Sequence, residues 1–238
     1  MAPAVHAPSV PRRSLLARVV VGFSAGLAAA AAVLFLSAGT WKTWQGWAYL
    51  AVLFLPSFGG YCYFFKVDPR FLESRIERRE QVGAQKELIR WATPLFLIAF
   101  LLPGLDHRFG WSLRLNLAVP LWLTVLSLAM ALAGILIVLW SMNVNRFAAR
   151  TIQVVAGQTV ISTGPYRFVR HPLYTGAATL WVFTPLALGS FVALPCFILL
   201  VFFYVLRLLN EEKILREELP GYSDYCARTR YRLVPLVW

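Results

Sequence analysis

The sequence predicts an all-α integral membrane protein, one domain of about six transmembrane helices ending in a helical hairpin. Three observations carry this expectation. Hydrophobic residues make up 59% of the 238 and charged residues only 14%, whereas soluble domains are about 25% charged. The mean hydropathy is +0.63, and apolar runs of spanning length recur along the chain. Of the 23 Lys and Arg, 20 fall in alternate inter-span segments: the N-terminus, 66–90, 142–171 and the tail from 207. Only Lys42, Arg108 and Arg114 fall in the others. That asymmetry predicts an inner or plasma membrane protein with both termini in the cytoplasm. It also accounts for the net charge of +12 without a nucleic-acid partner, which would draw the cations to one face. Cys62, Cys196 and Cys226 follow no framework or zinc spacing, so neither a disulfide set nor a metal site is expected.

Each element follows from local pattern. Residues 1–14, with three prolines, read as a tail. Span one, 15–37, carries Gly22, Gly26 and the run Ala28–Ala32, a small-residue face suited to close helix packing. Trp41, Trp44 and Trp47 form an interfacial belt before span two, 44–65, which Pro56 and Gly59-Gly60 should kink. Residues 66–90 mix acids and bases with a partial apolar stripe and predict an amphipathic helix on the cytoplasmic surface. Span three, 88–105, carries Pro94, and 103–116 reads as an outer loop containing His107. Span four, 117–142, is the most apolar. The polar sequence after it sets Asn145, Arg146, Arg150 and Gln153 three or four apart, as on a helix continuing into the cytoplasm. Residues 154–163 read as a compact loop or hairpin. Spans five and six, 172–188 and 190–209, have only Gly189-Ser190 between them and predict a tight hairpin. Beyond it, a charged helix is stopped by Pro220-Gly221.

Chemistry concentrates in Ser162–Gly176, STGPYRFVRHPLYTG. Gly164-Pro165 sets a turn, and Pro172 suits a first helical turn because its missing N–H would be unpaired there. The segment thus joins a helix N-terminus, which favours anions, to Tyr166, Arg167, Arg170, His171 and Tyr174. A second polar cluster, Arg207-Leu-Leu-Asn210-Glu211-Glu212, ends the last apolar run. The hairpin makes its two cytoplasmic ends neighbours, so the clusters should meet. His171 could serve as an N-cap.

GPYRFVRHPLYTG, an apolar hairpin, RLLNEE and YSDYCARTRYRLVP together resemble the isoprenylcysteine carboxyl methyltransferase family, with its related phospholipid and thiol methyltransferases. The match covers about 140–235, which the resemblance makes a catalytic core behind the spans of 15–139. It implies an S-adenosylmethionine-dependent methyltransferase with a cytoplasm-facing cofactor pocket. It assigns Tyr166, Arg170, His171, Pro172, Tyr174, Gly176 and Glu211 to the cofactor, and Arg207, Glu211 and Glu212 to catalysis. Tyr222 and Tyr225 match the family tail, whose extra residue leaves Arg228 and Arg232 unassigned. The implied partner is a lipophilic or small-molecule acceptor bearing a carboxylate, amine or thiol. It would arrive laterally, between the hairpin and span four. A nicotinamide-dependent membrane reductase and a membrane transport protein are the competing readings. The lack of a Gly-rich dinucleotide fingerprint and the near absence of ionisable residues from the membrane-embedded part of the spans weigh against each in turn.

Overall fold

A computed structural model describes residues 11–77, 83–147 and 157–238. Among them the fold is all-α, with no strand. Apolar composition drives each long helix, and Gly and Pro end them. Helix α1 (Arg12–Ala38) stops at Gly39, whose φ of 67° lets its N–H return to the Leu36 carbonyl. After α2 (Trp44–Val67), the Asp68 carboxylate accepts the Phe71 N–H at 3.0 Å and starts α3 (Pro69–Glu77). Helices α4 (Gly83–Phe109) and α5 (Trp111–Arg114) follow, then α6 (Leu121–Val144). A 3-10 turn over Gly164–Arg167 precedes α7 (Pro172–Ala187), α8 (Leu194–Glu218) and α9 (Tyr222–Arg228).

Five helices, α1, α2, α4, α6 and α8, are long and apolar enough to cross a membrane. The sixth expected span, α7, has 16 residues and rises only about 24 Å. Its tip spans 188–193 rather than two residues, and its neighbours hold it. Ser190 donates its hydroxyl to the Asp106 carboxylate of α4 at 2.5 Å, and Ser112 donates to the same carboxylate through its N–H and hydroxyl. A buried carboxylate accepting three hydrogen bonds is satisfied without a cation.

Several boundaries differ from the sequence reading. The surface helix is short, since only Pro69–Glu77 forms it and residues from Gly83 join α4. The segment 103–116 is mostly helical, because α4 runs through Pro103 to Phe109. Helix α6 ends at Val144, and Asn145 is extended (φ −109°, ψ 97°), so Asn145 and Arg146 do not share a helical face. Arg150 and Gln153 lie outside the described residues, as does 154–156.

Helices α6 and α7 pack backbone to backbone. A Cβ at Gly176 would lie 2.5 Å from the Gly134 carbonyl oxygen, and one at Gly134 would lie 2.6 Å from that of Gly176. Only glycine at both positions permits this approach. Around it, Ala131, Ile135, Leu180, Ala187, Phe197 and Leu200 form the core. The small-residue face of α1 packs only in part: Ala30 and Ala31 lie against this core, but its two glycines do not. Gly22 has no described atom within 4 Å of an added Cβ, and Gly26 reaches only Phe54 at 4.0 Å.

Gly176→Ala should therefore lower stability by about 1–3 kcal/mol, the usual cost of overpacking, while Gly22→Ala should leave it unchanged. Thermal unfolding in detergent measures both, and equal melting of Gly176→Ala and wild type would contradict the crossing described.

Candidate active site

The two polar clusters meet at one end of the bundle. Tyr174, in the first turn of α7, donates its phenol to Glu211 Oε2 of α8 at 2.6 Å. Arg207, one turn earlier on α8, donates to the same phenol oxygen. Tyr166 emerges from the 3-10 turn into the same space and hydrogen-bonds the Asn145 side chain. Burial, foremost, pushes the Tyr166 phenol up to about 12, so it is a neutral donor.

Glu212 faces the other way, since successive helical residues point about 100° apart. Its carboxylate is 3% exposed and is held by three guanidinium groups. Arg170 approaches Oε1 at 2.8 Å, Arg216 reaches Oε1 at 3.0 Å, and Arg232 Nε donates to Oε2 at 2.5 Å. Arg170 NH1 also donates to the carbonyls of Thr229 and Arg230 at 2.9 and 2.8 Å. The tail is thereby laid along the start of α7. The Arg170 and His171 N–H groups donate to the Tyr231 and Arg232 carbonyls, and the Thr175 hydroxyl to that of Leu233. Helix α9 adds a second layer, because the Tyr225 phenol donates to the Tyr166 carbonyl at 2.6 Å and Tyr222 Oη lies 3.4 Å from His171 Nε2. His171 sits at the N-cap position but makes no side-chain cap. Burial, partly offset by Glu212, takes its pKa down to about 4, so the imidazole is neutral at physiological pH.

Between these layers lies a cavity of about 1220 Å³. Its inner chamber is polar, with Asn145, Tyr166, Arg170, His171, Tyr174, Arg207, Glu211, Tyr222 and Tyr225 on the walls. An apolar arm continues between α4 and α8, lined by Leu88, Ile89, Ala92, Phe96, Leu200, Phe203 and Tyr204. Arg18, Arg75, Lys86 and Arg90 also line it. Arg170 Nε is buried away from the cavity and makes no hydrogen bond.

The structure redistributes the expected site residues. Tyr166, Arg170, His171, Tyr174, Arg207 and Glu211 come together around the cavity. Glu212, Pro172 and Gly176 do not line it. Glu212 is instead bound by Arg170, Arg216 and Arg232. Pro172 is buried in the first turn of α7, and Gly176 serves the crossing with α6. Arg232 takes a role the sequence left open, on Glu212 and over the Trp238 ring at 5.1 Å. Arg228 is exposed. Arg146 turns away from the cavity and lies over Phe64 at 5.0 Å. The apolar wall comes from α4, the expected span three, and not from the membrane part of α6. Sequence reasoning missed Lys86, Thr93, Tyr204 and Gln158–Ile161. The lateral position of α4 gave no local signal, because an apolar helix facing a cavity reads like one facing lipid.

Fold and site define an α-helical membrane protein with a polar chamber at one end of the bundle and an apolar arm leading into it. Residues 122–220 match the family model described as phospholipid methyltransferase, and that family includes the isoprenylcysteine carboxyl methyltransferases. The resemblance read from the motifs therefore stands, and this stretch supports a membrane methyltransferase in general. The matched stretch runs from the start of α6 to the end of α8 and leaves out α9 and the tail. No curated protein matches the chain.

The buried neutral imidazole has a consequence for stability. The unfolded chain binds a proton at His171 near pH 6.5, but the folded chain binds it only near pH 4. Its contribution is thus intact above pH 6.5 and is lost as pH falls toward 4, by about 3 kcal/mol in all. In melting temperature against pH, His171→Asn should flatten that segment of the wild-type curve. Parallel curves would contradict the buried imidazole.

Proposed function

We propose that the protein is an S-adenosylmethionine-dependent methyltransferase acting on a lipophilic acceptor. The cofactor occupies the polar chamber and the acceptor the apolar arm. The observation that carries this reading is one continuous cavity, polar and tyrosine-rich at one end and apolar at the other. At about 1220 Å³ it exceeds the roughly 300–1000 Å³ of a pocket for one small ligand. The family match supplies the reaction class, and the family generally uses S-adenosylmethionine.

The residues present fit the cofactor. Arg170 lines the chamber, and its guanidinium brings positive charge there for an anionic group such as a carboxylate. The cluster behind it, three guanidiniums around one carboxylate, leaves excess positive charge on that side. Glu211, fixed by Tyr174, offers the opposite charge to an ammonium. Tyr166 and neutral His171 suit ribose hydroxyls or the adenine edge. When bound, the cofactor supplies an electrophilic methyl group to an in-line nucleophile, a displacement that needs no metal. Orientation of two held reactants accounts for most of the rate, roughly 7–11 kcal/mol of barrier in well-aligned cases. A carboxylate nucleophile needs no base. For an amine or thiol, Glu211 is placed to take the proton, because Glu212 is committed to arginines. Arg207, between chamber and arm, orients an anionic group of the acceptor. Arg170, His171, Glu211, Tyr166 and Tyr174 thus form the cofactor side, with Arg207 and Glu211 beside the reacting atoms.

Calorimetry on purified protein with S-adenosylhomocysteine tests the reading. Wild type should bind, and Glu211→Gln and Arg170→Lys should each bind at least about tenfold more weakly, about 1.4 kcal/mol. Binding of NADPH in place of the homocysteine compound would overturn it.

The chamber faces the cytoplasm in this proposal, with both termini on that side, because the basic residues gather at that end of the helices. A cysteine placed at Lys213 should react with an impermeant maleimide in inside-out vesicles and stay unlabelled in right-side-out ones. The reverse pattern would invert the topology.

A further inference from the structure

The apolar arm has a floor. Below Phe96 and Tyr204, the last aromatic groups on its wall, the rings close into one cluster drawn from α4, α7 and α8. Phe96 packs on Phe100 with centroids 4.7 Å apart and meets Trp181 edge-on at 5.6 Å. Phe100 meets Trp181 at 5.9 Å and Phe197 at 5.3 Å, and Trp181 meets Tyr204 at 6.3 Å. Phe197 is fully buried and Phe100 is 7% exposed. Such edge-on and tilted ring pairs attract one another beyond their buried area, so the cluster does not part readily for a ligand. From Arg207 to Leu200, the deepest lining residue of α8, the drop is about 10 Å at 1.5 Å per residue. From Arg90 to Phe96 on α4 it is about 9 Å. The sides are open by comparison. Ile89 and Phe96 line the arm and are 43% and 40% exposed, and the next residue on α4 at that depth, Leu97, is 51% exposed without lining it.

We propose that the Phe96–Phe100–Trp181–Phe197–Tyr204 cluster sets which acceptors the arm admits. It stops the acceptor's apolar body about 10 Å below Arg207 and turns anything longer sideways into the bilayer between α4 and α8. The admitted class is short apolar bodies and flexible chains that bend. Long rigid bodies, such as fused-ring sheets, are rejected. This rests on the reading of the arm as the acceptor site. It goes beyond that reading by naming what limits the acceptor.

Photocrosslinking tests it without relying on turnover. The full-length protein in phosphatidylcholine nanodiscs, saturated with S-adenosylhomocysteine, is labelled with sixteen-carbon fatty carboxylates carrying a diazirine at carbon 6 or carbon 12. Homocysteine-compound binding is measured on the same samples, so loss of the cofactor reading shows separately. The carbon-6 probe should label Leu200, Phe203 or Tyr204. The carbon-12 probe should label exposed positions at the depth of the floor, such as Leu97 or Leu199, with Phe197 and Phe100 spared. In Trp181→Ala, or in Phe96→Ala should that variant alone fold, carbon-12 labelling of Phe197 should rise about tenfold. Carbon-12 labelling of Phe197 in wild type overturns the floor. So does an unchanged pattern in a folded variant, or the absence of any arm labelling in protein that binds the homocysteine compound.

Discussion

The Glu212 carboxylate is the interaction on which the site depends. It sits on α8 and binds Arg170 ahead of α7, Arg216 one turn on, and Arg232 in the tail. Three stretches far apart in sequence therefore converge on one buried anion. Desolvating so many charges is costly, and such a cluster does not by itself argue for high stability. What it fixes is geometry. Arg170, anchored to Glu212 and to two tail carbonyls, is held in one orientation beside the cavity. Removing one partner from a buried pair costs about 3–5 kcal/mol, because the other charge is left uncompensated.

Adjacent carboxylates thus do opposite work. Glu211 projects into the chamber and is held by a phenol, where it can meet a cation or accept a proton. Glu212 projects into the scaffold and is saturated. A sequence read as Arg-x-x-x-Glu-Glu shows two equivalent acids, and only the packing of the tail separates them. The same holds for Pro172 and Gly176. They stand in the motif beside site residues, yet one shapes the start of α7 and the other lets α6 approach.

Much of the architecture was legible because membranes impose simple rules. Long apolar runs gave the helices, and the short connection between the last two gave the hairpin. The hairpin in turn brought His171 near Arg207–Glu212. What escaped was set by tertiary contact. Pro103 did not end α4, because the neighbouring helices and the Asp106 clasp hold that turn. Asn145 ended α6 although the polar pattern suggested continuation, since its side chain serves Tyr166 and the Phe147 N–H instead. The small face of α1 looked like a packing surface along its length, yet Gly22 and Gly26 meet almost nothing, while Gly134 and Gly176, two isolated glycines in apolar runs, let α6 and α7 meet. Composition marks which residues could allow close approach, and only the fold shows which of them meet.

The tail laid along α7 also bears on how the protein is made. Thr229–Leu233 supplies the carbonyls that hold Arg170, His171 and Thr175, and it leaves the ribosome after every span has been synthesised. The helices can therefore be inserted and packed while the chamber still lacks one wall. The wall that the tail forms is added only after α8 has been made, so a chain stopped before Thr229 would carry these helices with the chamber still open on that side.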